Sequence, residues 1–170
     1  MQISKWILGL AILLAAAFPA AAQSAHADIN NAAGQKIGEA KFKQTSTGVK
    51  ISLEVSQLSP GTHGIHIHAV GKCEGPDFKT AGGHFNPDNK KHGAKNPDGP
   101  HNGDLGNITV EANGKAKATL VDAHVTLGEG ANSLFQSAGT AIVIHAGTDD
   151  EMTDPAGNSG ARVACGVITK

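Results

Sequence analysis

The sequence predicts an all-β domain, an antiparallel sandwich or barrel of about eight short strands carrying two long functional loops. Three observations predict it. Apolar residues alternate with polar ones at period two, most clearly Val49, Ile51, Leu53 and Val55 against Lys50, Ser52, Glu54 and Ser56. No stretch carries the 3.6-residue apolar period of an amphipathic helix. Glycine is abundant, 22 of 170 residues, and collects in turns, while Tyr is absent and the single Trp lies near the N-terminus. Such a chain builds its core from Val, Ile, Leu and Ala.

The N-terminus is read separately from the fold. A short basic start, Met1–Lys5, precedes an apolar run, Trp6–Ala17, broken only by Gly9. Pro19-Ala20-Ala21-Ala22 then supplies small residues of the kind a signal peptidase cuts. The run falls short of the ~20 residues of a membrane span. Residues 1–22 are therefore expected to be a signal peptide, with cleavage as late as residue 27 after Ala25-His26-Ala27. Residues 23–170 form one domain, exported to the periplasm or beyond. Loss of Lys5 leaves 13 basic and 15 acidic residues, a formal charge of −2. That balance argues against nucleic-acid binding, and against membrane binding once the signal is gone.

Along the mature chain, Ile37 to Phe42 is a weaker strand between turns at Asn31–Gly34 and Thr45–Gly48. Strand 49–55 follows, then a turn at Leu58-Ser59-Pro60-Gly61. Strand character resumes in Thr62–Ala69 and in Leu105–Glu111, which Asn113-Gly114 is expected to join as a hairpin to Lys115–Val121. Ala141–His145 and Val163–Ile168 are further short apolar runs. Between them lie two irregular segments, Val70–Gly103 and Ala146–Gly160. Loops beyond about 12–15 residues are uncommon in a compact domain unless functional or disordered. The first segment contains groups able to tie it down: Cys73, His84, His92, His101 and Asp104 stand in it or at its end. Cys73 and Cys165 are the only cysteines, and in an exported chain they predict one disulfide. Closing so long a loop is worth roughly 4–5 kcal/mol by chain entropy.

The stretch from His63 to Asp104 holds six of the nine histidines. Imidazole and carboxylate are the ordinary ligands of zinc and copper. His66 and His68 alternate with Ile65 and Ile67, so on a strand both imidazoles leave one face and both isoleucines enter the other. His84, His92, His101 and Asp104 form a tetrahedral set acceptable to zinc. His66 and His68, with His145 from the end of an apolar run, are one ligand short of a tetragonal copper(II) set. One histidine shared between two ions would complete both.

The motifs GTHGIHIHAVGKC (61–73), GGHFNP (82–87), KHG (91–93), HNGDLGN (101–107), IVIHAGTDD (142–150) and GNSGARVACGVI (157–168) run through most of the mature chain. Through them the chain resembles the copper,zinc superoxide dismutases of the exported bacterial kind. The resemblance implies a Greek-key β-sandwich or barrel and an enzyme, with one copper ion and one zinc ion per subunit and superoxide anion as substrate. It implies copper ligands His66, His68, His84 and His145, and zinc ligands His84, His92, His101 and Asp104. His84 would then be the bridge and a catalytic group, and Arg162 the active-site arginine. Asp149 would be the carboxylate linking a copper histidine to a zinc histidine, with Cys73 paired to Cys165. Family members form homodimers of two geometries; HNGDLGN is similar to the animal enzymes and HAVGKC to the bacterial ones.

His63 matches a structural position of the family. His26 is expected to be lost with the signal or to lie in a flexible terminus, and His124 to sit in a strand-like region far from the motifs. A noncatalytic copper carrier on the same fold is the first rival function. It would be expected to lose the arginine, a copper ligand or the bridge, and this chain keeps all three. A zinc hydrolase or zinc-only module is the second, and it leaves the remaining histidines and Arg162 without a role. The segment 149–160 has no lysine and four acidic residues, so cationic guidance of the anion is expected from Lys72, Lys79, Lys90, Lys91 or Lys95.

Overall fold

The computed structural model describes residues 23–170, and the signal expected at 1–22 lies outside them. Eight strands form the domain: β1 Ser24–Asn31, β2 Lys36–Thr45, β3 Gly48–Val55, β4 Gly61–His68, β5 Asp104–Val110, β6 Ala116–Asp122, β7 Ala141–His145 and β8 Arg162–Val167. They pair in the order β5-β4-β7-β8-β1-β2-β3-β6, with every ladder antiparallel. The end strands β5 and β6 lie beside one another, so the sheet curls into a nearly closed barrel. The non-consecutive neighbours β4–β7, β8–β1 and β3–β6 are its Greek-key crossovers. Among the described residues, no helix is long and apolar enough to cross a membrane.

Period two builds this barrel. In β3, Val49, Ile51, Leu53 and Val55 are buried and Lys50 and Glu54 point outward. Ile29, Phe42, Ile65, Ile67, Ile142, Ile144 and Leu134 fill the same interior with at most 1% exposure. Each such side chain is worth about 1.5–3 kcal/mol of apolar transfer. β4 and β7 depart from this pattern because both of their faces are covered. Under β7, Ala141 and Val143 pack with Phe78, Ala81, Cys165 and Cys73 in a second small core. This core seats the long 69–103 loop on the barrel's outer face. Phe78 and Ala81, at the short 3-10 turn Lys79–Ala81, therefore anchor the loop beside the Cys73–Cys165 disulfide. Order in this loop does not depend on metal and sulfur alone, as the sequence suggested.

Four local features differ from expectation. β1 was not apparent in the sequence because its buried positions are two alanines and one isoleucine, Ala25, Ala27 and Ile29. His26 belongs to this strand and exchanges backbone hydrogen bonds with Thr169 at 2.8 and 2.9 Å, so it does not lie in a flexible terminus. Cleavage after residue 27 would remove half of β1, whereas cleavage after Ala22 leaves it whole. Asn113-Gly114 does turn the chain, with Glu111 N–H to Lys115 O at 2.8 Å. β5 and β6 lie side by side beyond the turn, but their ladders are with β4 and β3, and no hairpin ladder joins them. Finally, residues 123–140 are a third irregular connection, whose Val125, Leu127 and Leu134 help fill the barrel interior. His124 lies at its start rather than in a strand, and its carbonyl accepts from Asn102 Nδ2 at 3.0 Å, next to the metal-binding motifs.

Cys73 and Cys165 are joined, with their Cα atoms 5.6 Å apart, across 92 positions of sequence. Replacing both by serine is expected to lower the unfolding free energy of the metal-free protein by about 2–5 kcal/mol. The check is the unfolding free energy from urea denaturation, extrapolated with each form's own m-value.

Candidate metal centre

Where β5 leaves β4, residues 83–85 of the long loop take its place. Ala69 N–H bonds Gly83 O at 2.9 Å and Phe85 N–H bonds Ile67 O at 2.8 Å, which brings His84 alongside His68. Gly103 holds the other strand of the loop there, donating to Phe85 O at 2.8 Å and accepting from Ile67 N–H at 2.8 Å. A Cβ at Gly103 would collide with the Ile67 carbonyl, so the close approach requires glycine. The β4–β5 register slips between Gly64 and His66, and the β7–β8 register slips between Ile144 and His145. Such irregularities re-aim side chains, and each adjoins a histidine of the cluster.

His66, His68, His84 and His145 converge, with one ring nitrogen from each mutually within 4.8 Å. The remaining ring nitrogen of each has an acceptor. His66 Nε2 faces Asp149 Oδ2 at 2.7 Å, and His68 Nδ1 faces Gly82 O at 2.9 Å. His84 Nδ1 faces Asp104 Oδ1 at 2.9 Å, and His145 Nδ1 faces Gly160 O at 3.1 Å. These contacts place the N–H of the neutral ring outward. Left over are His66 Nδ1, His68 Nε2, His84 Nε2 and His145 Nε2, all buried and all without a hydrogen-bond partner. Buried lone pairs without partners are costly, and four aimed at one point fit a cation with imidazole preference. Burial, with the mutual repulsion of the rings, pushes His68 down to about 2, His145 to about 3 and His84 to about 4. His68, His84 and His145 are thus neutral and ready to ligate at physiological pH.

A second cluster lies behind His84. Asp104 Oδ1 stands 2.9 Å from His84 Nδ1, 3.1 Å from His92 Nδ1 and 3.4 Å from His101 Nδ1. His101 Nδ1 and His84 Nδ1 are 3.5 Å apart. The edges of a tetrahedron about zinc, with bonds of ~2.0 Å, are ~3.3 Å, and these four separations lie near that length. His66 also comes within 4.8 Å of His84, His92 and Asp104. Its Nε2 is committed to Asp149, however, which leaves the fourth vertex to His101. Asp104 Oδ2 accepts the backbone N–H groups of Gly93 and His101 at 2.8 and 2.9 Å, and Asp104 is held far below the usual carboxylate range. Burial works against that shift, and the histidines and amides outweigh it. His92 faces carboxylates with both nitrogens; although burial opposes its charged form, Asp104 and Asp149 raise it to about 9. Without an ion, a proton on His92 supplies part of the missing positive charge.

Asp149 joins the two clusters. Its Oδ2 accepts from His66 and its Oδ1 from His92 at 2.9 Å. Asn107 fixes it through both backbone groups, with Asp149 N–H to Asn107 Oδ1 at 2.8 Å and Asn107 Nδ2 to Asp149 O at 2.9 Å. Gly157, at φ +60°, lies where a Cβ would run into Asp149 and the His92 ring. The sequence pattern contained both residues in HNGDLGN and GNSGAR but offered no reason to single them out. Arg162, at the start of β8, donates from Nη1 to Phe78 O at 2.7 Å and from Nη2 to Gly82 O at 2.6 Å. Gly82 O therefore holds both Arg162 and His68. Arg162 also lines a surface depression of about 520 Å³ with Pro76, Asp77, Lys79, Gly160 and Ala161. His63 stays outside both clusters, spanning His145 O at 2.7 Å and Ser59 O at 2.8 Å.

Three of the lysines expected to guide an anion are committed to carboxylates. Lys79 pairs with Asp77 at 2.9 Å, Lys91 with Asp154 at 3.2 Å and Lys95 with Glu151 at 3.1 Å. The acidic 149–154 segment thus fastens the two long loops together. Among the described residues, only Lys72 and Lys90 of that group make no ion pair.

The low values of His68, His84 and His145 set a pH dependence for the metal-free protein. Unfolded, these rings titrate near ~6.5; folded, they stay neutral to about 4, 3 and 2. Stability is fully present above pH ~6.5 and is lost as pH falls through the window down to the folded values, because the unfolded chain binds more protons there. Unfolding free energies from urea denaturation between pH 6.5 and 4 are expected to fall by up to about 1.4 kcal/mol per pH unit for each ring. Exchanging one of them for a non-titrating residue should flatten the acid limb.

Comparison with known proteins agrees with the geometry. Residues 36–168 match the family described as copper/zinc superoxide dismutase (SODC). Two proteins of Aquifex aeolicus named superoxide dismutase [Cu-Zn] are similar: one is 54% identical over 84% of this chain and 86% of its own, the other 46% identical over 98% of each. The crystal structure of a SOD-like protein from Bacillus subtilis superposes with a TM-score of 0.81 at 39% identity, covering 84% of this chain and 96% of that one. Cu/Zn superoxide dismutase from Brucella abortus gives 0.70 at 28% identity, covering 85% and 99%. In sequence, in barrel topology and in its paired histidine clusters, the chain belongs to the copper/zinc superoxide dismutase family.

Proposed function

We propose that the protein is a superoxide dismutase, with copper held by His66, His68, His84 and His145 and zinc held by His84, His92, His101 and Asp104. The observation that supports this most directly is the set of four unpartnered buried nitrogens, one of them on His84, whose other nitrogen faces Asp104 beside His92 and His101. When bound, copper supplies alternating one-electron oxidation of superoxide to O₂ and reduction of superoxide to peroxide, beside a redox-inert zinc.

The chain's own groups do the rest. Held between two cations, His84 would give up both ring protons. Its Nε2 would be the atom of this chain placed to hold a proton for the peroxide product. His66, His68 and His145 keep fixed ring orientations because their distal nitrogens are tied to Asp149, Gly82 O and Gly160 O. Arg162 has two of its five N–H donors spent on backbone carbonyls. The others remain for the anion, in a guanidinium held rigid and permanently charged. The depression lined by Arg162 gives a small anion its approach. Lys72 and Lys90 supply uncompensated positive charge to the same loop.

Signal-like residues 1–22 and the Cys73–Cys165 bond support export to the periplasm or beyond, where thiols oxidise. The Bacillus relative, named superoxide dismutase-like, keeps a noncatalytic copper carrier in view as the second reading. The complete ligand set and Arg162 favour the enzyme.

Protein loaded with one equivalent of each metal is expected to remove superoxide; stable metal occupancy without turnover would make it a carrier. His84→Ala should lose activity and weaken both metals, and Asp104→Ala chiefly zinc, as read by metal analysis after dialysis. If His84→Ala kept both metals at wild-type affinity, the bridge would be wrong. Arg162→Ala should keep both metals and lower the rate by about a hundredfold, measured by pulse radiolysis.

A further inference from the structure

Five of the six histidines in the two clusters carry a ring nitrogen turned away from the ion position, His84 being engaged on both sides. Four of these five have a clear oxygen partner: His66 and His92 on Asp149, His68 on Gly82 O, and His145 on Gly160 O. The fifth is His101, and the oxygen before its Nε2 is Asp154 Oδ1 at 3.8 Å. That oxygen already accepts the backbone N–H of His92 at 2.9 Å, while Asp154 Oδ2 takes Lys91 Nζ at 3.2 Å. Asp154 comes from the second long loop, and that loop is docked in register. Lys95 N–H bonds Glu151 O at 2.9 Å, and Asn96 Nδ2 bonds Met152 O at 3.1 Å. The His92 amide and Lys91 also hold the Asp154 carboxyl below its ordinary range, so it is ionised at neutral pH.

We propose that Asp154 is a positioning residue for the zinc-side cluster, holding His92 by its backbone and His101 by its distal nitrogen from across the loop junction. This rests on the ligand assignment above and extends it. A distance of 3.8 Å is beyond a formed hydrogen bond. A cation at Nδ1 makes the opposite N–H of His101 a stronger donor and draws it toward the carboxylate, as outer partners of metal-bound imidazoles do. Asp149 secures the face that the two clusters share. Asp154 acts on the zinc side alone, so it should tune zinc retention without touching the copper side.

The test uses the full mature, disulfide-intact protein. Zinc affinity is measured by chelator competition for wild type, Asp154→Ala, Asp154→Asn and Lys91→Met, and copper affinity in parallel. Cobalt(II) in the zinc position reports ligand geometry through its visible bands. Asp154→Ala is expected to weaken zinc by about 10–100-fold, shift the cobalt bands and leave copper affinity unchanged, with a much smaller fall in the metal-free Tm from loss of the His92 N–H acceptor. Asp154→Asn should recover part of the loss, since its amide oxygen still accepts the His92 N–H, and Lys91→Met should leave the cobalt bands in place. Unaltered zinc affinity and cobalt bands in Asp154→Ala would overturn the proposal. So would a matching drop in metal-free Tm, or an equal loss from Lys91→Met. Wild-type protein that took up no zinc at all would instead sink the ligand assignment itself.

Discussion

Four buried nitrogen lone pairs at one point, none with a donor, are the constraint that the rest of the chain answers to. Each such group costs about 1–3 kcal/mol when left unsatisfied. Collapse of the four rings onto nearby carbonyls would relieve that cost. It is prevented because every ring is already engaged at its other nitrogen, and because Gly82 O serves His68 and Arg162 together. The barrel contributes rigidity: β4 and β7 are the two strands buried on both faces, and both carry cluster histidines.

Charge is distributed by the same logic. His68, His84 and His145 are neutral because burial opposes an imidazolium there. Behind them, Asp104 and Asp149 stay ionised under the pull of histidines and backbone amides. A region with two buried carboxylates and neutral rings lacks positive charge, and His92 supplies some of it with a proton. A cation held at His92 would take the place of that proton, and its affinity would then depend on pH.

Much of the site was legible because its ligands are chemically conspicuous. Histidine and aspartate in a Gly-Pro-rich segment stand out from an apolar β pattern, and His66-Ile67-His68 states its own geometry if it is a strand. The strands with Val, Ile and Leu at period two were equally plain. β1 was hidden by alanine, whose small side chain leaves little hydrophobic alternation to read. The hairpin at Asn113-Gly114 failed for a different reason. A turn signal describes four residues, whereas strand pairing across it is decided by barrel closure. Backbone acceptors were invisible in principle: Gly82 O and Gly160 O orient two histidines, yet a carbonyl belongs to every residue. The pairing of Lys91 and Lys95 with Asp154 and Glu151 was likewise hidden, because the partners lie about sixty positions apart.

Those lysine pairs change how the acidic loop is understood. Read alone, DDEMTDPAGNSG looks like a repulsive rim for an anionic substrate. In the fold Asp149 is spent on His66 and His92, Asp150 on Thr153 and Asn158, Glu151 on Lys95, and Asp154 on Lys91 and the His92 amide. Glu151 and Asp154, each paired with a lysine within a few ångströms, contribute little potential at a distance of a Debye length, whereas Asp150, held by neutral donors, keeps its charge. Two of the loop's acidic groups thus serve to hold the 70–103 loop in place. Among the described residues Arg162 makes no ion pair, and its guanidinium is held by two backbone carbonyls, one of which, Gly82 O, also orients His68. One backbone oxygen thus ties the arginine beside the depression to a histidine of the cluster.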